Sequence, residues 1–390
     1  MLHLMNDRAQ RLYEDIVRSN GVDLSGFSLV IVQHFVPNTM PFFKALRNHV
    51  HISALIPKPA SINSATLDQL QTSDPPFPVV HAKREQLTDE TFIRENLLNA
   101  PLGTKYIFLD VGGYFSKSIA LIQSMLGDSF AGIIEDTENG HQKYDAFLER
   151  YKQKGGILPA PVYSVARSPL KEPEDHLVGQ SVLYSTERML RDHNALLTNM
   201  SVLIIGYGKI GKSIANSLGA RNVSVWVHDR DPVRAAQAFS HGFQVPDRAF
   251  ALERADVIIG ASGNKSLNEE DFTNLKDGAF VCSVTSADDE FDFGEIRKKL
   301  SHYDTGNKSE VFINSTKSFY LLNKGNAINF SHNNVLGSFI YLVACELTFC
   351  ISKIASEPGS YRDDRITTLN TRTRQEIASK WLMEFNDVRK

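Results

Sequence analysis

The sequence predicts an α/β protein of two doubly wound domains, one inserted into the other. Three observations carry this. From Phe27 onward, short β-branched runs alternate with helical stretches, the rhythm of a parallel sheet with crossover helices. In mid-chain the apolar run Ser201-Val-Leu-Ile-Ile205 is followed at once by a glycine-rich turn. After Asn329 an apolar segment reads as a helix returning to the first domain. A chain of 390 residues is long enough for two or three domains.

Residues 28–33 read as a strand, 39–48 as a helix and 50–56 as a strand; 106–109 and 131–134 are two more strands. The last two end in the loops Asp110-Val-Gly-Gly113 and Glu135-Asp-Thr-Glu-Asn-Gly140, where ligands collect in open α/β sheets. Residues 158–179 hold Pro159, Pro161, Pro169 and Pro173 without helical periodicity and read as an ordered connector before a helix at 181–197. The expected organisation is 1–180 as the first part of a substrate domain, 181–330 as the inserted domain, 331–360 as the return helix, and 361–390 as a tail. The tail's helix at 375–385 is expected to pack on a neighbouring copy.

Composition narrows the function classes. Apolar residues at 42% and charged residues at 22% are globular values, which argues against a disordered, collagenous or coiled-coil chain. With 42 basic against 45 acidic side chains no global field recruits polyanions, so nucleic acid is not an expected partner. Cys282, Cys345 and Cys350 form neither a disulfide framework nor a paired metal motif, which fits a reducing compartment without structural zinc. Residues 1–8 lack a basic stretch leading into an apolar one, so a cytoplasmic location is expected. The apolar stretch 338–351 is short for a bilayer and contains Glu346, hence a buried helix and no membrane.

The turn after 201–205 is Gly206-Tyr-Gly208-Lys209-Ile210-Gly211, and Lys212 onward continues as a helix. In this strand–turn–helix context the first glycine permits the tight turn. The second admits a pyrophosphate to the backbone, and the third lets helix and strand pack closely. The next apolar strand, 223–227, leads to Asp229, some 18 residues past Gly211, where a carboxylate accepts from the adenosine ribose and disfavours a 2'-phosphate. The inserted domain therefore reads as a Rossmann domain for NAD, with His228 and Arg230 beside Asp229 as cations that a phosphate could meet. A further strand ends at the small-residue turn Ser262-Gly263-Asn264, also assigned to the cofactor.

The string Gly206-Tyr-Gly-Lys-Ile-Gly-Lys212, with Asp231-Pro232, Ala235-Ala-Gln-Ala238 and Gly242-Phe-Gln-Val245, resembles the adenosylhomocysteinase (S-adenosylhomocysteine hydrolase) family pattern G-Y-G-D-V-G-K, D-P, A-L-Q-A, G-Y-E-V. Gly132-Ile-Ile-Glu-Asp-Thr-Glu-Asn-Gly140 is similar to the family's G-I-S-E-E-T-T-T-G. Leu321-Leu322, Gly325, Asn329 and Ser338-Phe339 fall where the family has L-L, G, N and S-F. The resemblance implies redox-assisted elimination: NAD oxidises a ribose 3'-hydroxyl, the ketone acidifies the neighbouring hydrogen, a thioether leaves, and the ketone is reduced again. It carries the family's lysine and aspartate onto Lys171 and Asp175 of Lys171-Glu-Pro-Glu-Asp-His176, an acid–base histidine onto His34, a ribose-holding glutamate onto Glu135, and nicotinamide contacts onto Thr137 and Asn329. It also implies a homo-oligomer.

The departures bear on the reaction. The family's L-D-D-G-G is Leu109-Asp110-Val111-Gly-Gly113, which replaces an acid–base aspartate by an aliphatic side chain and leaves Asp110 as the substitute candidate. His176 stands where the family has asparagine, and is a further proton carrier. Ser286 replaces the histidine of N-I-G-H. Val36 and Asn38 replace the threonine and glutamate of H-M-T-V-E-T, and Leu336 the histidine of G-H-P-S-F, so base recognition is altered. With Asp387-Val-Arg-Lys390 as the last residues read, the family's terminal extension toward a neighbour's NAD is not expected to complete the cofactor site. The expectation is an NAD-dependent enzyme that transiently oxidises a sugar hydroxyl of a nucleoside-like substrate other than ordinary S-adenosylhomocysteine. The alternatives are a true hydrolase with altered acid–base residues and a non-catalytic NAD-binding homologue.

Overall fold

The computed structural model describes residues 2–156, 160–285, 290–291, 293–314, 317–356 and 365–386; Ser286 and Pro159 lie outside them. The chain forms two compact units, Met1–Lys171 with Gly337–Lys390, and Glu172–Leu336.

The first unit is built on a parallel sheet of β1 (Phe27–Phe35), β2 (His51–Ile62), β3 (Lys105–Asp110), β4 (Phe130–Glu135) and β5 (Val162–Ser164), in the order β2-β1-β3-β4-β5. Its strands read as apolar runs because both faces are covered. Side chains alternate between two cores: Leu29, Ile31, Ile107 and Leu109 face one, Val30, Val32 and Phe108 the other. The first core is closed by α1 (Leu2–Ser19), α2 (Met40–Arg47) and the helix Ile340–Ser356. The second is closed by α4 (Glu90–Leu97), α5 (Ile119–Leu126) and α6 (Glu138–Gln153), while α3 (Ser64–Thr72) follows β2 and adds Leu70 to the first core. Helix α1 was not among the expected elements. Its signal is the spacing of buried Ala9, Leu12, Tyr13, Ile16 and Val17.

Gly337–Ser356 is longer than the expected apolar stretch and is long and apolar enough to cross a membrane, yet it is mostly buried within the protein, as a core helix is. Its Glu346 is buried and meets the Arg374 guanidinium at 3.0 Å. Arg374 belongs to the helix Thr371–Phe385, which buries Ile377 and Trp381 in the first core. Its apolar side is taken up within its own unit, where Trp381 Nε1 donates to the Ser338 carbonyl at 2.9 Å.

The second unit opens with α7 (Glu172–Asp192), not with a helix at 181–197. Pro173 misleads here: in a first helical turn its missing N–H costs nothing, and Glu172, Glu174 and Asp175 complement the helix dipole. The sheet contains β6 (Ser201–Ile205), β7 (Ser224–His228), β8 (Val257–Gly260), β9 (Ala279–Ser283), β10 (Ser301–Asp304), β11 (Glu310–Asn314) and β12 (Lys317–Leu321). The order is β10-β11-β12-β9-β8-β6-β7, parallel except for β11, which runs antiparallel to both neighbours. In each unit the winding reverses beside the first strand, β1 or β6, so a crevice opens at the carboxyl end of that strand.

Candidate functional site

In the second unit the crevice is a backbone construction. Gly206 ends β6 at φ +104°, and a side chain there would lie 2.6 Å from the Ala261 carbonyl oxygen. A Cβ on Gly211 would run into the Gly206 carbonyl oxygen. Over Gly208 the space is open; only Arg234 comes near, at 3.8 Å. Gly208 is the N-cap of α8 (Lys209–Gly219) and has no side chain to satisfy the helix's first N–H groups, which leaves them for a ligand. Lys209 and Ile210 form the first turn of that helix.

Asp229, just past β7, is held from both sides: Oδ2 accepts from the Tyr207 N–H at 2.6 Å and Oδ1 from the Asp231 N–H at 2.9 Å. A carboxylate so oriented keeps lone pairs for ribose hydroxyls. The Ser262-Gly263-Asn264 turn is organised by Glu290, a residue the sequence reading missed. Its carboxyl accepts from the Gly263 N–H at 2.6 Å and is hydrogen-bonded to Ser262 Oγ at 3.0 Å, and burial pushes its pKa up. Asn329, in the turn Ile328–His332, is 3% exposed, and its Oδ1 is buried with no hydrogen-bond partner among the described residues. An orphaned acceptor at that depth fits the amide N–H of a carboxamide. Glycine cradle, ribose carboxylate and orphaned acceptor together fit NAD.

Helix α7 crosses α8 at Gly179, where a Cβ would meet Ser213, whose Oγ donates to the His176 carbonyl at 2.6 Å. Asp175, 8% exposed, lies 3.3 Å from the Lys209 ammonium, a partner not foreseen. The His176 ring is exposed and pairs with Gln180 one turn on, at 3.1 Å.

The first unit's crevice is built from side chains. His34, near the end of β1, holds Ser61 Oγ at 2.5 Å from Nδ1. Burial, with the Lys58 and Lys171 ammonium groups, keeps its proton affinity well below the ordinary 6.5, so the ring is neutral at pH 7. Lys171 is 7% exposed and donates to Asp136 Oδ1 at 2.8 Å. Thus His34 and Lys171 share one electrostatic environment, and Asp136, unremarked in the sequence, is the lysine's counter-charge.

Three residues of the expected site have structural partners that the sequence did not mark. Glu135, expected to hold ribose hydroxyls, is fully buried; its carboxyl accepts the Gly112 and Gly113 N–H groups at 3.0 Å and the Thr137 N–H and hydroxyl at 2.7 and 2.6 Å. Buried main-chain donors must find acceptors, and this carboxyl is theirs. Burial and neighbouring Asp110 push its pKa up to about 8 against the pull of those donors. Thr137, expected at the nicotinamide, instead caps α6 by accepting the Gly140 N–H at 3.1 Å while donating to Glu135. Asp110, the candidate replacement acid, is fully buried and accepts from the Phe115 N–H at 3.0 Å and Tyr144 hydroxyl at 2.6 Å. Val111 beside it is fully buried too.

Among the residues expected to read a base, Val36 is 6% and Leu336 2% exposed, Val36 in the first unit and Leu336 in the second. Asn38 sits in the turn Pro37–Thr39, with a buried Oδ1 that has no partner among the described residues. Also missed were Lys58, Arg84 and Lys143, which converge on Gly112: the Lys143 ammonium donates to the Gly112 carbonyl at 3.1 Å and Arg84 lies 3.5 Å from it. They come from well-separated stretches of sequence and leave no local signal.

Among solved structures the chain is similar, at 13% identity, to a dipicolinate synthase polypeptide from Bacillus halodurans, covering 86% of this chain and 99% of that one with a TM-score of 0.47. It is similar at 13% identity to a putative D-3-phosphoglycerate dehydrogenase oxidoreductase from Ralstonia solanacearum, over 85% and 96% of the two chains, TM-score 0.47. It is also similar at 16% identity to a phosphoglycerate oxidoreductase from Vibrio cholerae O395, over 67% and 76%, TM-score 0.40. Residues 180–335 match the family described as S-adenosyl-L-homocysteine hydrolase, NAD binding domain, and contain the cradle, Asp229, Glu290 and Asn329. Over these two fifths of the chain the protein thus carries an NAD-binding domain similar to that of S-adenosyl-L-homocysteine hydrolase.

Proposed function

We propose that this protein uses NAD to oxidise transiently a sugar hydroxyl of a nucleoside-like substrate, and that the substrate is not ordinary S-adenosylhomocysteine. The observation that carries the first half is the NAD cradle of Gly206, Gly208 and Gly211 with Asp229, inside a domain of that family. The chemistry NAD supplies when bound is reversible hydride transfer. Lys171, nearly buried and positively charged, stabilises the negative charge that develops on a hydroxyl oxygen as its proton leaves. His34, neutral at pH 7 and oriented by Ser61, is the acid–base group of the first unit. Asp175 and His176 keep their proposed roles from the resemblance alone.

The second half rests on what replaces the family's elimination machinery. Val111 cannot move a proton, Glu135 is buried with its carboxyl engaged by main-chain and side-chain donors, and Asp110 is buried with Oδ2 engaged by the Phe115 N–H and the Tyr144 hydroxyl. The reading of a non-catalytic NAD-binding homologue is favoured by one observation: Lys171 and Asp175 each face an opposite charge, Asp136 and Lys209.

The test is mass spectrometry of small molecules released from the purified full chain, with absorbance of the reduced nicotinamide followed as nucleosides and nucleoside thioethers are added. Reduction by a nucleoside, lowered about 100-fold in Lys171→Ala, is expected. Release of homocysteine from S-adenosylhomocysteine at ordinary turnover would make the protein a true hydrolase. Bound NAD that no nucleoside reduces would leave the non-catalytic reading.

A further inference from the structure

The turn Ser262-Gly263-Asn264 carries more hydrogen-bond contacts than its own hydrogens can fill. It leaves the end of β8 and packs on the cradle: a Cβ on Gly206 would lie 2.7 Å from Ser262 Cα, and the Ala261 N–H donates to the Ile205 carbonyl at 2.8 Å. Behind it stands Glu290, fully buried. Its Oε1 accepts from the Gly263 N–H at 2.6 Å, and Oε2 lies 2.9 Å from the place where a Cβ on Gly260 would stand. The Glu290 carbonyl accepts in addition from the Ser266 N–H at 2.8 Å and the Ser266 hydroxyl at 3.2 Å. One residue thus holds both ends of the segment 262–266.

Ser262 is one hydrogen short. Its Oγ lies 2.5 Å from the Asn264 carbonyl oxygen and 3.0 Å from Glu290 Oε2, and it accepts from the Asn264 N–H at 3.1 Å. A carbonyl oxygen brings no hydrogen, so the single hydroxyl hydrogen of Ser262 lies between Oγ and Asn264. Ser262 then has none left for Glu290. Two oxygens at hydrogen-bond distance with no hydrogen between them repel, and the hydrogen that closes this contact comes from the carboxyl. We infer that Glu290 carries a proton, donates it in a hydrogen bond to Ser262 Oγ, and is thereby the positioning residue that keeps this turn beside the NAD cradle. Burial favours the same state, raising the Glu290 pKa against the pull of donors from Ser266, Gly263 and Ser262. The charged groups that the segment itself engages are Lys265, which donates to the Phe291 carbonyl at 2.9 Å, and Arg248, which reaches the Ser266 carbonyl at 2.9 Å and pairs with Asp271 at 2.6 Å. Asp288, Asp289 and Asp292, neighbours of Glu290 in sequence, lie outside the described residues.

Loss of that proton leaves three oxygens around one hydrogen, so the turn loosens and NAD binds less tightly. Binding is strongest below the folded pKa of Glu290, which lies above the ordinary 4.5, and weakens as pH rises through it, by up to about tenfold per pH unit. The inference rests on the NAD site and on no choice of substrate. The experiment measures NAD affinity of the full chain by calorimetry across the pH range in which it stays folded, and records the infrared difference spectrum of the parent against Glu290→Gln. A carbonyl band of a protonated buried carboxyl is expected in the parent. Glu290→Ala should bind NAD about 30-fold more weakly at low pH, because the Gly263 N–H loses its acceptor. Glu290→Gln should restore most of that loss and flatten the pH profile, since its NH2 donates to Ser262 Oγ and its carbonyl accepts from Gly263. A merely structural role would lower the melting temperature without giving the affinity a pH slope. If Glu290→Ala does not fold, Glu290→Gln and the infrared band decide. The inference is overturned if the band is missing, or if parent and Glu290→Gln lose affinity alike as pH rises. A parent that binds no NAD at any pH overturns the cofactor reading with it, whereas a band with pH-independent binding overturns the inference alone.

Discussion

The two units solve one problem with different materials. Each winds a parallel sheet outward from its first strand and opens a crevice where the winding reverses. In the second unit the crevice is lined by main chain: Gly206 and Gly211 let the turn and α8 pack closely, Gly208 leaves the first N–H groups of α8 uncovered, and side chains serve chiefly to hold turns in place. In the first it is lined by His34, Lys58, Arg84, Lys143 and Lys171, with Glu135 as the clasp beneath. A backbone site depends on a few residues close in sequence, whereas a side-chain site depends on strands and helices first being brought together.

The sharpest way to break this contrast is at Gly211. Adding a methyl group there drives α8 away from β6, and NAD affinity in Gly211→Ala should fall about 100-fold, or about 2.8 kcal/mol, as measured by dinucleotide released from the purified protein. Retention of normal NAD would mean that the cradle is not built on its backbone.

The corresponding test in the first unit is Glu135→Gln. The amide presents an NH2 where the Gly113 N–H needs an acceptor, and the loss at pH 5 should be about 1–3 kcal/mol in urea unfolding. The two tryptophans of the chain, Trp226 and Trp381, lie one in each unit, so single-tryptophan proteins report the units separately. Because the folded Glu135 binds its proton up to about pH 8, above its ordinary 4.5, the unfolded chain carries fewer protons between those values. Its contribution is fully present below about pH 4.5 and declines as pH rises through about 8. The first unit should therefore weaken over that interval in the parent, with a flatter profile in Glu135→Gln. An unchanged slope would remove Glu135 as the titrating clasp.

The smallest effect is expected at Lys209→Met. The lysine is 43% exposed, so its pairing with Asp175 should contribute less than about 1 kcal/mol to the second unit's stability. A larger loss would show side-chain charge carrying weight in a crevice otherwise built from backbone.

Much of the second unit was legible beforehand, since strand, glycine turn, helix and Asp229 lie within a few dozen residues and each glycine has a local steric reason. Glu290 was not, because nothing near it in sequence marks it as the acceptor for Gly263. In the first unit the strands were legible from their apolar runs, and His34 and Lys171 came from motif resemblance. The helix at Glu172 was obscured by prolines that helices tolerate in their first turn, and α1 by its position before the first recognised strand.

By itself the sequence determined the α/β class, the alternation of strand and helix, and the NAD cradle, because these follow from residue periodicity and from what glycine alone permits at short range. Only the tertiary structure decided that Glu135 and Thr137 secure loops, that Asp110 is buried, that Thr371–Phe385 packs within its own unit, and that Lys58, Arg84 and Lys143 meet at Gly112. The physical reason is that hydrogen-bond partners and charge neighbours are set by distance in space, which chain folding fixes across stretches that carry no mark of one another.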